Sequence, residues 1–304
     1  MTRLDIVEHG QGRRRRLSVV VAAGLLALFL FVLLSGRGDP ALPPAPTAEP
    51  TGPRVVILDP TPAATNAVFP KEKGSGKRRT IDVTFPDGAR ARLTYPADLR
   101  LAELGVRPRI GARLPADDGS LQPRMLVAPY RGEAEVARNG PMIRRLADNV
   151  TLWPKPEGAP AAGEVLLFAF GPWRLTLTDT SYGLTFEQRR TWARNLRGRV
   201  TKDGFLVLSA RRPLTLARPG EVYAEVPYGP QLWLGGDRDR LIVLIPTPDC
   251  PSRAVDPPAI RSVTNATGAG CRGDVYLAVV GDQEFVDRVL KEVRVRYEAR
   301  SATG

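Results

Sequence analysis

Residues 17–34 read LSVVVAAGLLALFLFVLL, without charge or proline and with Ser18 as the sole hydroxyl, directly after Arg13, Arg14, Arg15 and Arg16. As a helix this run spans roughly 27 Å at about 1.5 Å per residue, close to the hydrocarbon thickness of a bilayer. An amphipathic helix of a soluble core would not be apolar all round. A cleaved leader has a shorter apolar region and a small-residue cleavage site, whereas Ser35, Gly36 and Arg37 follow here. No cysteine follows the run, which argues against a lipoprotein, and two apolar residues do not follow the arginine pair as a twin-arginine signal prefers. A single-pass signal anchor in the lipid bilayer is therefore expected over 17–35. Arginines beside such a span stay cytoplasmic, so 1–16 is the cytoplasmic tail and everything after the anchor is extracytoplasmic.

Residues 36–66 are a linker. Pro40, Pro43, Pro44, Pro46, Pro50, Pro53, Pro60 and Pro62 lie there among Ala, Thr and Gly, a composition that favours extended chain and buries no core. Residues 67–300 then form an extracytoplasmic domain, with a candidate sub-boundary at 154–162, where Pro154, Pro156 and Pro160 cluster. The net charge is +12, of which residues 1–36 hold +3 (five Arg against Asp5 and Glu8), leaving +9 beyond them. A basic domain favours anionic neighbours. Only Lys71, Lys73, Lys77, Lys155, Lys202 and Lys291 among the 44 basic residues are lysine, a bias expected of a GC-rich bacterial genome.

Periodicity beyond the linker points to an α+β fold, mainly antiparallel, with a few short helices. Ile81, Val83 and Phe85 alternate with polar residues, Pro86-Asp87-Gly88 supplies a turn, and Ala89, Ala91, Leu93 and Tyr95 alternate again. Further strands are expected at 124–128, 163–170, 173–177, 204–209, 221–226, 231–234, 240–245, 275–280 and 293–297. Short helices are expected at 97–104 and 141–149. Thr185 with Gln188 spells a capping box, opening a helix whose Phe186, Trp192, Ala193 and Leu196 share one face, with Arg190, Arg194 and Arg197 as a basic ridge beside it. Asp282 is placed to cap a last helix carrying Phe285, Val286, Val289, Leu290 and Val293.

Cys250 and Cys271, both in a loop expected over 246–273, are the two cysteines of the chain. Outside the cytoplasm, and far from a C-x-x-C spacing, they are expected to form a structural disulfide. The one histidine, His9, falls on the cytoplasmic side. The extracytoplasmic part therefore lacks Ser-His and Cys-His dyads and imidazole metal ligands, and no Ser has Lys three residues on. Gly74-Ser75-Gly76-Lys77 fails as a phosphate loop, since Lys71 stands at the first glycine position and Arg78 follows the lysine. Carboxylate pairs such as Asp117 with Asp118, or Asp237 with Asp239, stand in Gly-flanked turns and read as turn formers. Neither a cofactor nor a metal is expected.

The anion-binding candidates are the loop carrying Lys71, Lys73, Lys77, Arg78 and Arg79, and the helix ridge Arg190, Arg194 and Arg197. No aromatic interleaves the loop, so nucleic acid is not the expected partner. The sequence thus predicts a non-enzymatic, membrane-anchored domain that binds a partner protein or an anionic envelope component, cell-wall polymer or lipid headgroups. Two alternatives are a carboxylate-dependent hydrolase of envelope glycans and an accessory subunit of a membrane complex.

Overall fold

The computed structural model describes residues 65–116, 118–180, 183–236, 240–250 and 265–300. The expected anchor over 17–35 and nearly all of the linker lie outside them. Among the described residues no helix is long and apolar enough to cross a membrane.

Apolar alternation sets the first hairpin, β1 (Arg78–Thr84) and β2 (Arg90–Pro96), with Ile81 opposite Leu93 and Val83 opposite Ala91. Two 3-10 turns, Ala97–Leu99 and Leu101–Leu104, replace the helix expected at 97–104, because Arg100 between them is left-handed at φ 50°. β3 (Val106–Pro115) and β4 (Leu121–Val127) follow, then a short α1 (Glu133–Ala137). Residues 141–149 do not form the expected helix. They hold β5 (Arg144–Ala147), which pairs with β6 (Val150–Trp153) across a tight turn of Asp148 and Asn149, residue types that suit turns better than helix interiors.

β7 (Ala162–Phe170), β8 (Trp173–Thr180) and α2 (Phe186–Asn195) come next. The Thr185 capping box forms as expected, with Gln188 N–H bonding Thr185 Oγ1 at 3.2 Å and Thr185 N–H bonding Gln188 Oε1 at 2.9 Å. After β9 (Leu196–Val200), β10 (Leu206–Ala210) and β11 (Thr215–Leu216), the strand expected at 221–226 folds back on itself. It becomes the hairpin of β12 (Val222–Tyr223) and β13 (Val226–Pro227), whose turn residues Ala224 and Glu225 have φ of 47° and 65°. β14 (Gln231–Gly235) and β15 (Leu241–Pro246) lead to β16 (Ala266–Arg272), so Cys271 stands in a strand and not in the loop expected there. The Gly-rich sequence of β16 hides it from any alternation. Gly268 serves packing, since a Cβ there would meet Leu290 Cδ1 at 2.6 Å and Val286 Cγ1 at 2.8 Å. β17 (Val275–Gly281), α3 (Gln283–Glu292) and β18 (Arg294–Glu298) finish the described chain. Asp282 caps α3 by accepting from Phe285 N–H at 2.8 Å, a bond that lowers its carboxyl pKa.

Every described strand pairing is antiparallel, so the domain is mostly antiparallel β with a few short helices. The large sheet runs β16-β17-β15-β14-β3-β4-β8-β7-β6-β5, with β11 also on β3; β1-β2-β18 form a second sheet, and β9-β10 and β12-β13 are separate hairpins. One core lies where Ile81, Val83, Leu93 and Tyr95 meet Leu234, Ile242, Leu244, Leu277 and Val279, with Phe285, Val286 and Val289 of α3. The other packs Trp192 and Ala193 of α2, with Leu206 and Leu208, against Ile110, Leu126, Phe168, Leu175 and Leu177. β3 joins the two, giving Val106 to the first core and Ile110, Ala112 and Leu114 to the second.

At the rim of the second core Asp179, 2% exposed, holds Arg124 (Nε to Oδ1, 2.9 Å) and lies 3.7 Å from Arg189. It also accepts the backbone N–H groups of Thr180 and Leu184. Arg189 in turn meets Glu164 at 2.5 Å. Cys250 and Cys271 form a disulfide, with Cα atoms 5.8 Å apart.

Candidate anion-binding face

The three-stranded sheet is built from three amphipathic strands, and its two faces differ in kind. Inward go Ile81, Val83, Ala91, Leu93 and Tyr95. Outward go Asp82 of β1, Arg90 and Arg92 of β2, and Arg294, Arg296 and Glu298 of β18. Register places Asp82, Arg92 and Arg296 in one row, Thr80, Thr94 and Arg294 in the next, and Arg90 opposite Glu298. At about 4.8 Å between strands and roughly 7 Å between alternate residues, the arginines form a closely spaced grid.

The carboxylates do not balance that grid. Asp82 accepts from Arg92 Nε at 2.7 Å and from Lys73 Nζ at 2.6 Å. Those two bonds, Arg92 first, hold its carboxyl below the usual range. Asp82 is therefore already engaged by two cations, and Arg294 and Arg296 have no ion-pair partner among the described residues. A guanidinium presents a planar fork of N–H donors suited to phosphate or carboxylate oxygens. The domain carries no histidine, and Asp82 stays ionised well below neutrality, so the face keeps its charge between about pH 5 and 8. Anion binding there is expected to be flat across that window; a binding midpoint inside it would show that another group controls the face.

The predicted loop feeds this face but spends part of its charge internally. Lys73 and Thr80 exchange backbone hydrogen bonds at 2.8 and 2.9 Å, fixing the loop against β1. Arg79 sits 3.6 Å from Glu72, which also accepts from Tyr95 Oη at 2.6 Å, and Arg78 donates to the Glu292 carbonyl at 3.0 Å. Lys71 and Lys77 are exposed. Lys77 and Arg78 border a shallow depression of about 410 Å³ with Asp98 and Glu292.

The second predicted set is split. α2 ends at Asn195, where Leu196 turns extended and pairs with Ala210, so Arg197 stands on β9 and not on a ridge with Arg190 and Arg194. Arg190 pairs with Glu187 at 3.3 Å. Phe186 leaves the buried face expected for it and is 46% exposed. Asp118 caps its own turn through Ser120 N–H at 2.9 Å, while Asp117, Asp237 and Asp239 lie outside the described residues.

Sequence reasoning missed Arg90, Arg92, Arg294 and Arg296. The signal was present in Arg-Ala-Arg-Leu and Arg-Val-Arg-Tyr, where arginine alternates with apolar residues. The pairing of β2 with β18, some 200 residues apart in the chain, had no local signature.

Elsewhere, a depression of about 440 Å³ is lined by Glu135, Glu157, Arg138, Thr176 and Thr178 among others. Among the described residues no group of three or more His, Cys, Asp or Glu side chains is placed to hold a metal ion. No family model matches the chain, and neither a curated protein nor a solved structure does.

Proposed function

We propose that this chain is a non-enzymatic, membrane-anchored domain that binds an anionic envelope component through the outer face of β1-β2-β18. The observation that carries this reading is the row of Arg92 and Arg296 beside Arg294, with Asp82 as the carboxylate of the row already shared by Arg92 and Lys73. Lys71 and Lys77 extend the charge along the loop, and the Pro-rich linker gives the face reach beyond the anchor. The extracytoplasmic placement and single-pass anchor rest on the 17–34 run and its flanking arginines. A second reading, glycan hydrolysis by paired carboxylates, is favoured by Glu135 and Glu157 lining one depression. It requires turnover of a glycan, which the arginine face does not.

The test is titration of the full chain, held in neutral-lipid nanodiscs, with labelled poly(glycerol phosphate). At about 1 kcal/mol per basic residue at an anionic surface, Arg294→Ala with Arg296→Ala is expected to weaken binding roughly 30-fold. Unchanged affinity in that double variant would remove the face from the proposal.

A further inference from the structure

The large sheet ends on β5, which has β6 on one side and no strand on the other among the described residues. Edge strands present unpaired N–H and C=O groups to any extended chain that reaches them. Around this edge apolar side chains stay exposed: Met142 at 43%, Ile143 at 50% and Phe186 at 46%. Phe186 opens α2, which packs beside β5, and its ring carries two guanidiniums. Arg144 Cζ lies 5.5 Å from the ring centroid and Arg190 Cζ 5.7 Å. Ile143 also lines a depression of about 420 Å³ with Pro154, Lys155 and Pro160. Arg190 has Glu187 as a counter-ion, whereas Arg144 has no carboxylate partner among the described residues.

The edge therefore combines open backbone, an apolar rim and positive charge. That combination selects its occupant. A second copy pairing β5 with β5 would bring Arg144 and Arg145 against the same arginines, and like charges across a strand pair repel. A polyanion would gain from the arginines but leave Met142, Ile143 and Phe186 unused. An extended segment alternating acidic and apolar residues satisfies all three features, adding backbone bonds to β5 while its side chains meet guanidinium and apolar rim in turn.

We propose that the β5 edge docks an extended acidic-apolar segment of a partner protein as a further strand. This surface is separate from the arginine grid of β2 and β18, and it stands or falls independently of that reading. The experiment uses the full chain in neutral-lipid nanodiscs and a labelled peptide of alternating glutamate and valine. The peptide is expected to bind, its lysine-valine counterpart to bind at least tenfold more weakly, and Arg144→Glu and Phe186→Ala each to weaken the acidic peptide by about tenfold. Phe186→Ala is expected to leave the affinity for poly(glycerol phosphate) unchanged, and Arg294→Ala with Arg296→Ala is expected to weaken the acidic peptide less than Arg144→Glu does. The proposal is overturned if the peptide does not bind, if Arg144→Glu leaves its affinity intact, or if both peptides bind alike. It is also overturned if the chain self-associates through β5 instead.

Discussion

Asp179→Ala is expected to destabilise the domain by about 3–5 kcal/mol, the usual consequence of removing one member of a buried ion pair. The carboxylate is 2% exposed and Arg124 beside it only 10%. Once the carboxylate is gone, the Arg124 guanidinium keeps Thr180 Oγ1 at 3.3 Å and the Pro123 carbonyl at 2.9 Å, but no anion. The N–H groups of Thr180 and Leu184 lose their acceptor as well. For a domain of this size the midpoint of thermal unfolding is expected to fall on the order of 10 °C. Asp179→Asn, which keeps an oxygen for the two N–H groups and loses the charge, should fall between wild type and alanine. Calorimetry showing the alanine variant within about 1 kcal/mol of wild type would mean that the rim of the second core relaxes and lets water reach Arg124.

Cys250→Ser with Cys271→Ser is the second large effect. The bridge closes a sequence separation of 21 residues, and the loop-entropy relation gives roughly 3 kcal/mol for a loop of that length. It ties the segment four residues past β15 to the edge strand β16, and β17 separates these two strands in the sheet. β16 reads Ala-Thr-Gly-Ala-Gly-Cys-Arg, with little intrinsic preference for a strand. The loss should therefore be felt first there. Hydrogen exchange is expected to quicken in β16 before β17 or β15, with the unfolding midpoint falling by roughly 6–12 °C. Protection in β16 equal to wild type would show that α3, packed over Gly268, holds the strand by itself.

The sequence made parts of this molecule legible where short-range rules decide the outcome. The β1–β2 hairpin follows from alternation around Asp87-Gly88, α2 and α3 begin at the capping residues Thr185 and Asp282, and the disulfide joins the two cysteines present. β3 was hidden by its composition. Val106, Ile110, Ala112 and Leu114 alternate cleanly, but Pro108 and Gly111 interrupt the run, and a buried Arg107 is not what an arginine normally signals. Arg107 is tolerated because it bonds the carbonyls of Ala128 and Gly235 at 3.2 and 2.9 Å and lies over the Tyr130 ring. Phe186 was misassigned to the buried face because helical periodicity alone cannot tell which apolar residue a neighbouring strand leaves uncovered. The proposed binding face was legible only in pieces. Each strand shows its arginines, but their assembly depends on β18 returning to β2, a long-range pairing that no local pattern encodes. Loop 71–79 stands out in the sequence by its charge, but Asp82, Glu72 and the Glu292 carbonyl engage Lys73, Arg79 and Arg78 there.

Binding of an anionic polymer by charge at the β1-β2-β18 face, as proposed, has a direct signature in salt. The direct measurement is the affinity of the full chain for poly(glycerol phosphate) as salt rises from about 50 to 200 mM, since displacing condensed counterions makes such binding steeply salt-dependent. A steep, linear fall of log affinity with log salt is expected, with a shallower slope once Arg294 and Arg296 are replaced by alanine. A salt-independent affinity, or the same slope in wild type and the double variant, would contradict the proposal.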